Sequence, residues 1–163
     1  MRHRKMISML LVFLLFICGC SSNRADEQKK ELEIVSEYDH LPNSYSDGKT
    51  EFSIHTDKEK YVLPITNMVV IISNSGSGSI EFGEYRTLEK LQADTWYAVP
   101  YREQFAFTDI GLGLKPSDTT EQEMPLEYLN YKLTPGTYRI VKTFHTDEVL
   151  NEIVLAAQFI IEE

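Results

Sequence analysis

Tyr138, Ile140, Lys142 and Phe144 alternate with Arg139, Val141 and Thr143, and a period of two over seven residues admits little besides a β-strand. Successive side chains of a strand point to opposite faces, so one of these sets faces a core and the other faces away from it. Leu155, Ala157, Phe159 and Ile161 repeat the pattern and predict a closing strand. Upstream, Phe52 and Ile54 alternate with Ser53 and His55 in a first strand that ends at the turn 57–60. Met68 to Ile72 is a continuous apolar run, which predicts a central strand buried on both sides. The Ser/Gly patch 73–79 turns the chain into Ile80–Phe82. Tyr85 to Leu91 and Trp96 to Val99 flank Gln92, Ala93 and Asp94 and predict a hairpin. Phe105 to Phe107 and Ile110 to Leu114 follow, closed by Lys115-Pro116-Ser117-Asp118, and a single helical turn is allowed at Glu127 to Lys132. About seven or eight strands in roughly 115 residues is the spacing of an all-β sandwich.

The amino terminus has a different character. Met1 to Lys5 is basic, and from Met6 to Ile17 only Ser8 interrupts an apolar run. A membrane-spanning helix needs about 20 apolar residues, so a run of this length predicts a signal peptide over residues 1–19. It ends in Ile17-Cys18-Gly19-Cys20. These four residues, placed directly after an apolar run, resemble the bacterial lipobox. The resemblance implies diacylglyceryl transfer to the Cys20 thiol and cleavage before it. Each buried methylene contributes about 0.8 kcal/mol and stable anchoring takes two chains, which a diacylglyceryl group supplies. The lipid bilayer is thus the first partner expected, through acylated Cys20, on the outer face of the cytoplasmic membrane. Residues 20–47 are polar and predict a flexible tether, with a helical turn allowed around Lys29 to Ser36. The domain proper is expected over 48–163.

Charge and cysteine usage exclude some classes. The chain holds 16 basic and 25 acidic residues, a net charge of −9; removing Arg2, Arg4 and Lys5 with the leader leaves 13 against 25, or −12. Such a body repels phosphates, so no nucleic acid partner is expected. Both cysteines, Cys18 and Cys20, belong to the leader or its edge, so core burial must stabilise the domain without a disulfide.

Leu133-Thr134-Pro135-Gly136-Thr137-Tyr138 places a tyrosine just after a Pro-Gly turn at the start of the penultimate strand. This looks like the tyrosine corner of immunoglobulin-type sandwiches, where the ring packs inward and its hydroxyl bonds backbone a few residues upstream. Leu133 would cap the core edge, and Gly136 would take a conformation denied to residues with a Cβ. Together with Tyr85 to Lys90, Trp96-Tyr97 with Val99-Pro100, Phe107 to Ile110, Tyr138 to Lys142 and Leu155 to Phe159, this order of segments resembles the bacterial Ig-like domain family of Gram-positive surface proteins. The resemblance covers about residues 50 to 162. It implies an immunoglobulin-like β-sandwich in the cell envelope and carries no catalytic residues.

The residues offer little chemistry of their own. His55-Thr56-Asp57 and His145-Thr146-Asp147 repeat one tripeptide, but in such a sandwich they lie at opposite poles. Seven steps from Tyr138 to His145 span roughly 23 Å, too far for one metal ion, so no metal or other cofactor is expected. No Gly-x-Ser-x-Gly elbow occurs, Ser46 to Lys49 matches Ser-x-x-Lys only within the tether, and Gly76-Ser77-Gly78 lacks the Lys and helix of a phosphate loop. An enzyme is not expected. Among Trp96, Tyr97, Tyr101, Phe105 and Phe107, the neighbours Trp96 and Tyr97 cannot both face the core. Trp96 inside and Tyr97 outside is one reading; an exposed aromatic patch for protein or glycan is the other. The function expected is a membrane-anchored lipoprotein with a non-catalytic interaction or structural domain and an envelope protein as partner. The alternatives are a small-ligand or ion-binding lipoprotein of a transport or sensing system, and a protease inhibitor acting through the loops 74–79 and 115–124.

Overall fold

A computed structural model describes residues 31–147 and 151–163. The chain runs through β1 (Ser44–Ser46), β2 (Glu51–Thr56), β3 (Lys60–Val62), β4 (Val69–Asn74), β5 (Ile80–Gly83) and β6 (Thr87–Gln92). It continues through β7 (Thr95–Ala98), β8 (Gly111–Leu114), β9 (Thr119–Glu123), a single 3-10 turn (Leu126–Tyr128), β10 (Gly136–Thr146) and β11 (Ile153–Glu162). Two sheets result: β1-β2-β4-β9, and a larger one ordered β3-β11-β10-β5-β8 in which β6 also pairs with β10 and β7. This is an immunoglobulin-like β-sandwich. More strands form than the seven or eight expected, because β1, β3 and β9 are short or polar and give no hydrophobic alternation.

The alternation of β10 and β11 is realised as read. Tyr138, Ile140, Phe144, Leu155, Ala157, Phe159 and Ile161 are buried in one cluster with Phe52 and Ile54 of β2 and Val70 and Ile72 of β4. The Phe52 and Phe144 rings, 5.0 Å apart, join the two sheets. β4 is central but not buried on both sides: Val70, Ile72 and Asn74 are buried, while Val69, Ile71 and Ser73 are only partly covered. The run is continuous in sequence, yet among the described residues no further layer covers the outer face of the small sheet. The hairpin of β6 and β7 turns on Ala93 and Asp94, whose positive φ angles (45° and 64°) suit the right-handed twist of a two-residue connection.

The tyrosine corner is present. The Tyr138 hydroxyl donates to the Thr134 carbonyl (2.8 Å) and accepts from the Thr134 amide (3.2 Å), and its ring stacks on Phe159. Gly136 has φ 147°, and a Cβ there would lie 3.1 Å from the Lys90 side chain.

The expected tether gives way to structure over its second half. The Ala98 amide donates to Ile34 O (2.8 Å) and the Ser36 amide to Trp96 O (2.9 Å), so the chain first runs along the free edge of β7. It then crosses the outer face of the large sheet, reaches the far edge where the Ala156 amide donates to Pro42 O (2.9 Å), and enters the small sheet as β1. Residues 32–46 are therefore a strap around the sandwich, extended and not helical. Arg139 holds it down. Its Nε donates to Glu89 Oε2 (2.6 Å), its guanidinium lies 4.2 Å over the Trp96 ring, and its terminal nitrogens donate to Asp39 O (3.1 Å), Ser36 Oγ (3.2 Å) and Tyr38 O (2.5 Å). The strap was hidden in sequence because its partners are a backbone and one charged side chain a hundred residues away.

Two outcomes test this packing. Tyr138→Phe removes both corner bonds from a buried position and is expected to lower stability by about 1–2 kcal/mol in urea unfolding. Arg139→Met leaves Glu89 charged and buried without its partner, an expected loss of about 3–5 kcal/mol. Because Trp96 is the chain's only tryptophan, strap release in that variant is read directly from its emission.

Candidate functional site

The large sheet contains a break. β10 pairs with β6 through Tyr138–Val141 and with β5 through Phe144–Thr146, on the side opposite β11, so β5 and β6 lie end to end. Glu84, Tyr85 and Arg86 bulge between them and leave carbonyls without ladder partners. Buried cations fill that role. The Lys142 ammonium, on the inner face of β10 and 1% exposed, donates to Gly83 O and to Tyr85 O (3.2 Å). Arg86, itself buried, donates to Glu84 O (2.8 Å) and across to Glu123 O of β9, tying the two sheets together. Burial, reinforced by the nearby Arg86 charge, lowers the Lys142 pKa to about 7. Burial also lowers that of Arg86.

Beside the break, the connection from β7 to β8 leaves the sheet edge as a loop carrying Tyr101, Phe105 and Phe107. Its rings form a continuous group with Tyr85 of the bulge and Tyr128 of the 3-10 turn. Tyr85 meets Phe107 edge-on (5.5 Å), Phe107 meets Tyr101 and Phe105 (5.2 and 4.9 Å), and Phe105 stacks on Tyr101 and Tyr128 (4.9 and 4.6 Å). The Arg86 guanidinium sits 5.2 Å from the Phe107 ring beneath them. Arg102 N donates to Tyr128 O (2.8 Å), and Tyr101 bridges to Leu129, so the loop is fixed at its root. Tyr85, Tyr101, Phe105, Phe107 and Asp109 line an open cleft of about 370 Å³. Tyr85 and Tyr128 are 66% and 43% exposed, an apolar surface with hydroxyls at its rim.

The sequence grouped five aromatics, and the structure divides them. Tyr101, Phe105 and Phe107 come together as an exposed group, and Tyr85 and Tyr128, which sequence spacing did not flag, complete it. Trp96 and Tyr97 lie elsewhere and are reversed from the expected orientation. Lys90 stands opposite both Tyr138 and Tyr97, and directly opposed residues share a face, so Tyr97 turns inward with Tyr138. Trp96 faces outward and is buried under Arg139. Lys90, also inward, donates to Tyr131 Oη (3.4 Å) and Thr134 Oγ1.

His55 faces solvent on the small sheet opposite Ile71, and His145 on the large sheet opposite Glu81. Among the described residues no group of three or more His, Cys, Asp or Glu could hold a metal ion. The loop 74–79 is bound to its own chain: Gly76 N donates to Glu51 O and Ser77 N to Lys49 O. A Cβ on Gly76 would come within 2.3 Å of the Glu51 amide, which explains its glycine. Of the loop 115–124, residues 119–123 are β9, paired to β4. Ser46 to Lys49 form the turn into β2, with Asp47 Oδ1 accepting from Lys49 N and Thr50 N. A second open cleft, of about 530 Å³, is lined by Leu63, Pro64, Ile65, Leu126, Tyr131 and Leu133, among others. Cys20 lies outside the described residues.

Lys142 gives a pH prediction. Its pKa falls from 10.5 in the unfolded chain to about 7 when folded, so the unfolded state binds the extra proton between these values. Stability is then expected to rise as pH climbs from 7, with a slope of at most about 1.4 kcal/mol per pH unit. Tyr61 and Tyr101, raised above 10 chiefly by burial, oppose this only above pH 10. Urea unfolding between pH 7 and 9.5 should show the rise, and Lys142→Met should flatten it.

Solved structures similar to the chain include an alkylpurine DNA glycosylase, AlkC, from Pseudomonas fluorescens bound to DNA containing an abasic site analog (10% identity, TM-score 0.31, covering 69% of this chain and 30% of that one). Another is a mutant β-glucosidase from Listeria innocua in complex with laminaribiose (15% identity, TM-score 0.35, covering 86% and 20%). The chain thus spans less than a third of the length of either protein. No curated protein matches it. A family model described as bacterial Ig-like domain matches residues 48–160, which takes in β2 to β10 and all but the last two residues of β11, and the chain belongs to that family.

Proposed function

We propose that the protein is a lipid-anchored lipoprotein of the cell envelope whose Ig-like domain is a non-catalytic interaction or structural module. The single observation that supports the module reading is how the buried charges are used. Lys142, Arg86, Lys90 and Arg139 are each bonded to carbonyls, hydroxyls or a carboxylate of their own chain. They reinforce a scaffold, while the aromatic group beside the break presents Tyr85 and Tyr128 to solvent. Aromatic side chains of that kind carry much of the binding energy in protein interfaces. The anchor reading is supported by Ile17 to Cys20 standing directly after the apolar run.

The anchor is tested by phase partition of the expressed full chain in detergent. Wild type is expected in the detergent-rich phase and to take up radiolabelled fatty acid that Cys20→Ala does not; wild type in the aqueous phase, or without label, refutes the anchor. The module is tested by proximity labelling from the anchored protein. Recovery of a defined envelope protein, lost on Phe105→Ser, supports it; an unchanged set of labelled proteins counts against it.

A further inference from the structure

The place where the chain leaves the sandwich coincides with its exposed apolar surface. Glu31, Leu32, Glu33 and Ile34 lie against Ala98 and Pro100, at the root of the aromatic loop. Ile34, Val35, Tyr38 and Tyr85 line one shallow groove on the outer face together with Glu37 and Glu89, and Tyr85 continues into the rings of Phe107, Phe105 and Tyr128. Of the eight exposed large hydrophobics among the described residues, Ile34, Val35, Tyr38, Tyr85, Ile110 and Tyr128 belong to this edge or its loop, and only Val62 and Ile160 lie across the sheet on the β3 side. Exposed apolar side chains scattered singly need no explanation, but a contiguous set does.

We propose that this face rests on the bilayer, with Tyr85, Phe105, Phe107 and Tyr128 seated in the headgroup zone. The inference rests on Cys20 being the lipid anchor and deepens that reading by orienting the domain. Two arguments commit the face to a bilayer. The first is reach: eleven residue steps (31 − 20) separate Cys20 from Glu31, and a fully extended chain covers about 37 Å in that number. The strap fixes Glu31 beside the aromatic loop, so this edge is the part of the domain held nearest the anchor. The second is chemistry: tyrosines, with an apolar ring and a polar tip, favour the interface between headgroups and acyl chains, which suits Tyr85 and Tyr128, while Phe105 and Phe107 add apolar ring area between them. With a processed charge of −12, contact comes from ring insertion and not from attraction to anionic lipid, so it weakens as anionic lipid is added.

The test uses the full chain, lipidated in a bacterial host and reconstituted into phosphatidylcholine vesicles. A nitroxide is attached at Thr108→Cys, exposed on the aromatic loop, or at Ser44→Cys, exposed on β1 at the opposite edge. Power-saturation electron paramagnetic resonance compares access of oxygen, which concentrates in lipid, with that of a water-soluble nickel chelate. The expected result is a higher oxygen-to-nickel ratio at position 108 than at 44, lost when Tyr85→Ser and Tyr128→Ser are combined. Equal ratios on protein that floats with the vesicles overturn the docked face and leave the anchor standing. Spin–spin broadening at position 108 makes a second copy the occupant and also overturns it. Failure to float with the vesicles overturns the anchor and the docking with it.

Discussion

The structure depends on one strand, β10, being buried on both faces from Tyr138 to Lys142. β10 runs for eleven residues through the middle of the larger sheet, and its inner side chains meet the opposite sheet as those of any sandwich do. Its outer side chains, Arg139 and Val141 among them, would ordinarily meet water. Instead the strap crosses over them, and both are buried. Burying an arginine costs several kcal/mol unless its charge is paired and its donors are satisfied. Glu89 supplies the charge, Trp96 a face for the guanidinium, and the strap supplies the acceptors. The strap gives the terminal nitrogens of Arg139 their acceptors, and Arg139 in turn pins the strap between its backbone bonds to β7 and to β11.

The same strand settles the inner break. A sheet that loses pairing at Glu84–Arg86 strands carbonyls inside a sandwich, where each unpaired polar group is costly. Lys142 answers from the neighbouring strand with a long, flexible arm, and Arg86 answers from the bulge itself. The aromatic loop, which connects β7 to β8, leaves the sheet beside this break. Arg86 links the two features, since its guanidinium bonds the Glu84 carbonyl of the bulge and lies against the Phe107 ring of the loop.

Much of the architecture was legible in the sequence and little of the surface was. Alternation in β10 and β11 names one face unambiguously, and Pro135-Gly136 before Tyr138 marks a corner whose bonds are local. The hairpin of β6 and β7 was readable because two residues suffice to turn it. β9 was not: Thr119 to Glu123 is polar throughout, and it is a strand only because β4 offers it an edge. The strap was unreadable for the same reason, since backbone pairing with β7 needs no particular side chain. The orientation of Trp96 and Tyr97 depends on register with Lys90 and Tyr138, which no local pattern encodes. The aromatic group was half visible, because Phe105 and Phe107 are neighbours while Tyr85 and Tyr128 join them only through the fold.

Placing charge at positions 139 and 142 also guards the register that the aromatic residues rely on. A slip of β10 by one residue would exchange its faces. Arg139 would then point between the sheets without Glu89, Lys142 would leave the carbonyls of the break, and Tyr138 would lose Thr134. Apolar residues at 139 and 142 would tolerate the slipped pairing far better, since Val141 and Ile140 can be buried on either side. Each buried cation has its acceptors in only one register, so the pairing of β10 with β5 and β6 is fixed by hydrogen bonding where hydrophobicity alone would be ambiguous. The bulge, the loop root and the strap all take their positions from that register.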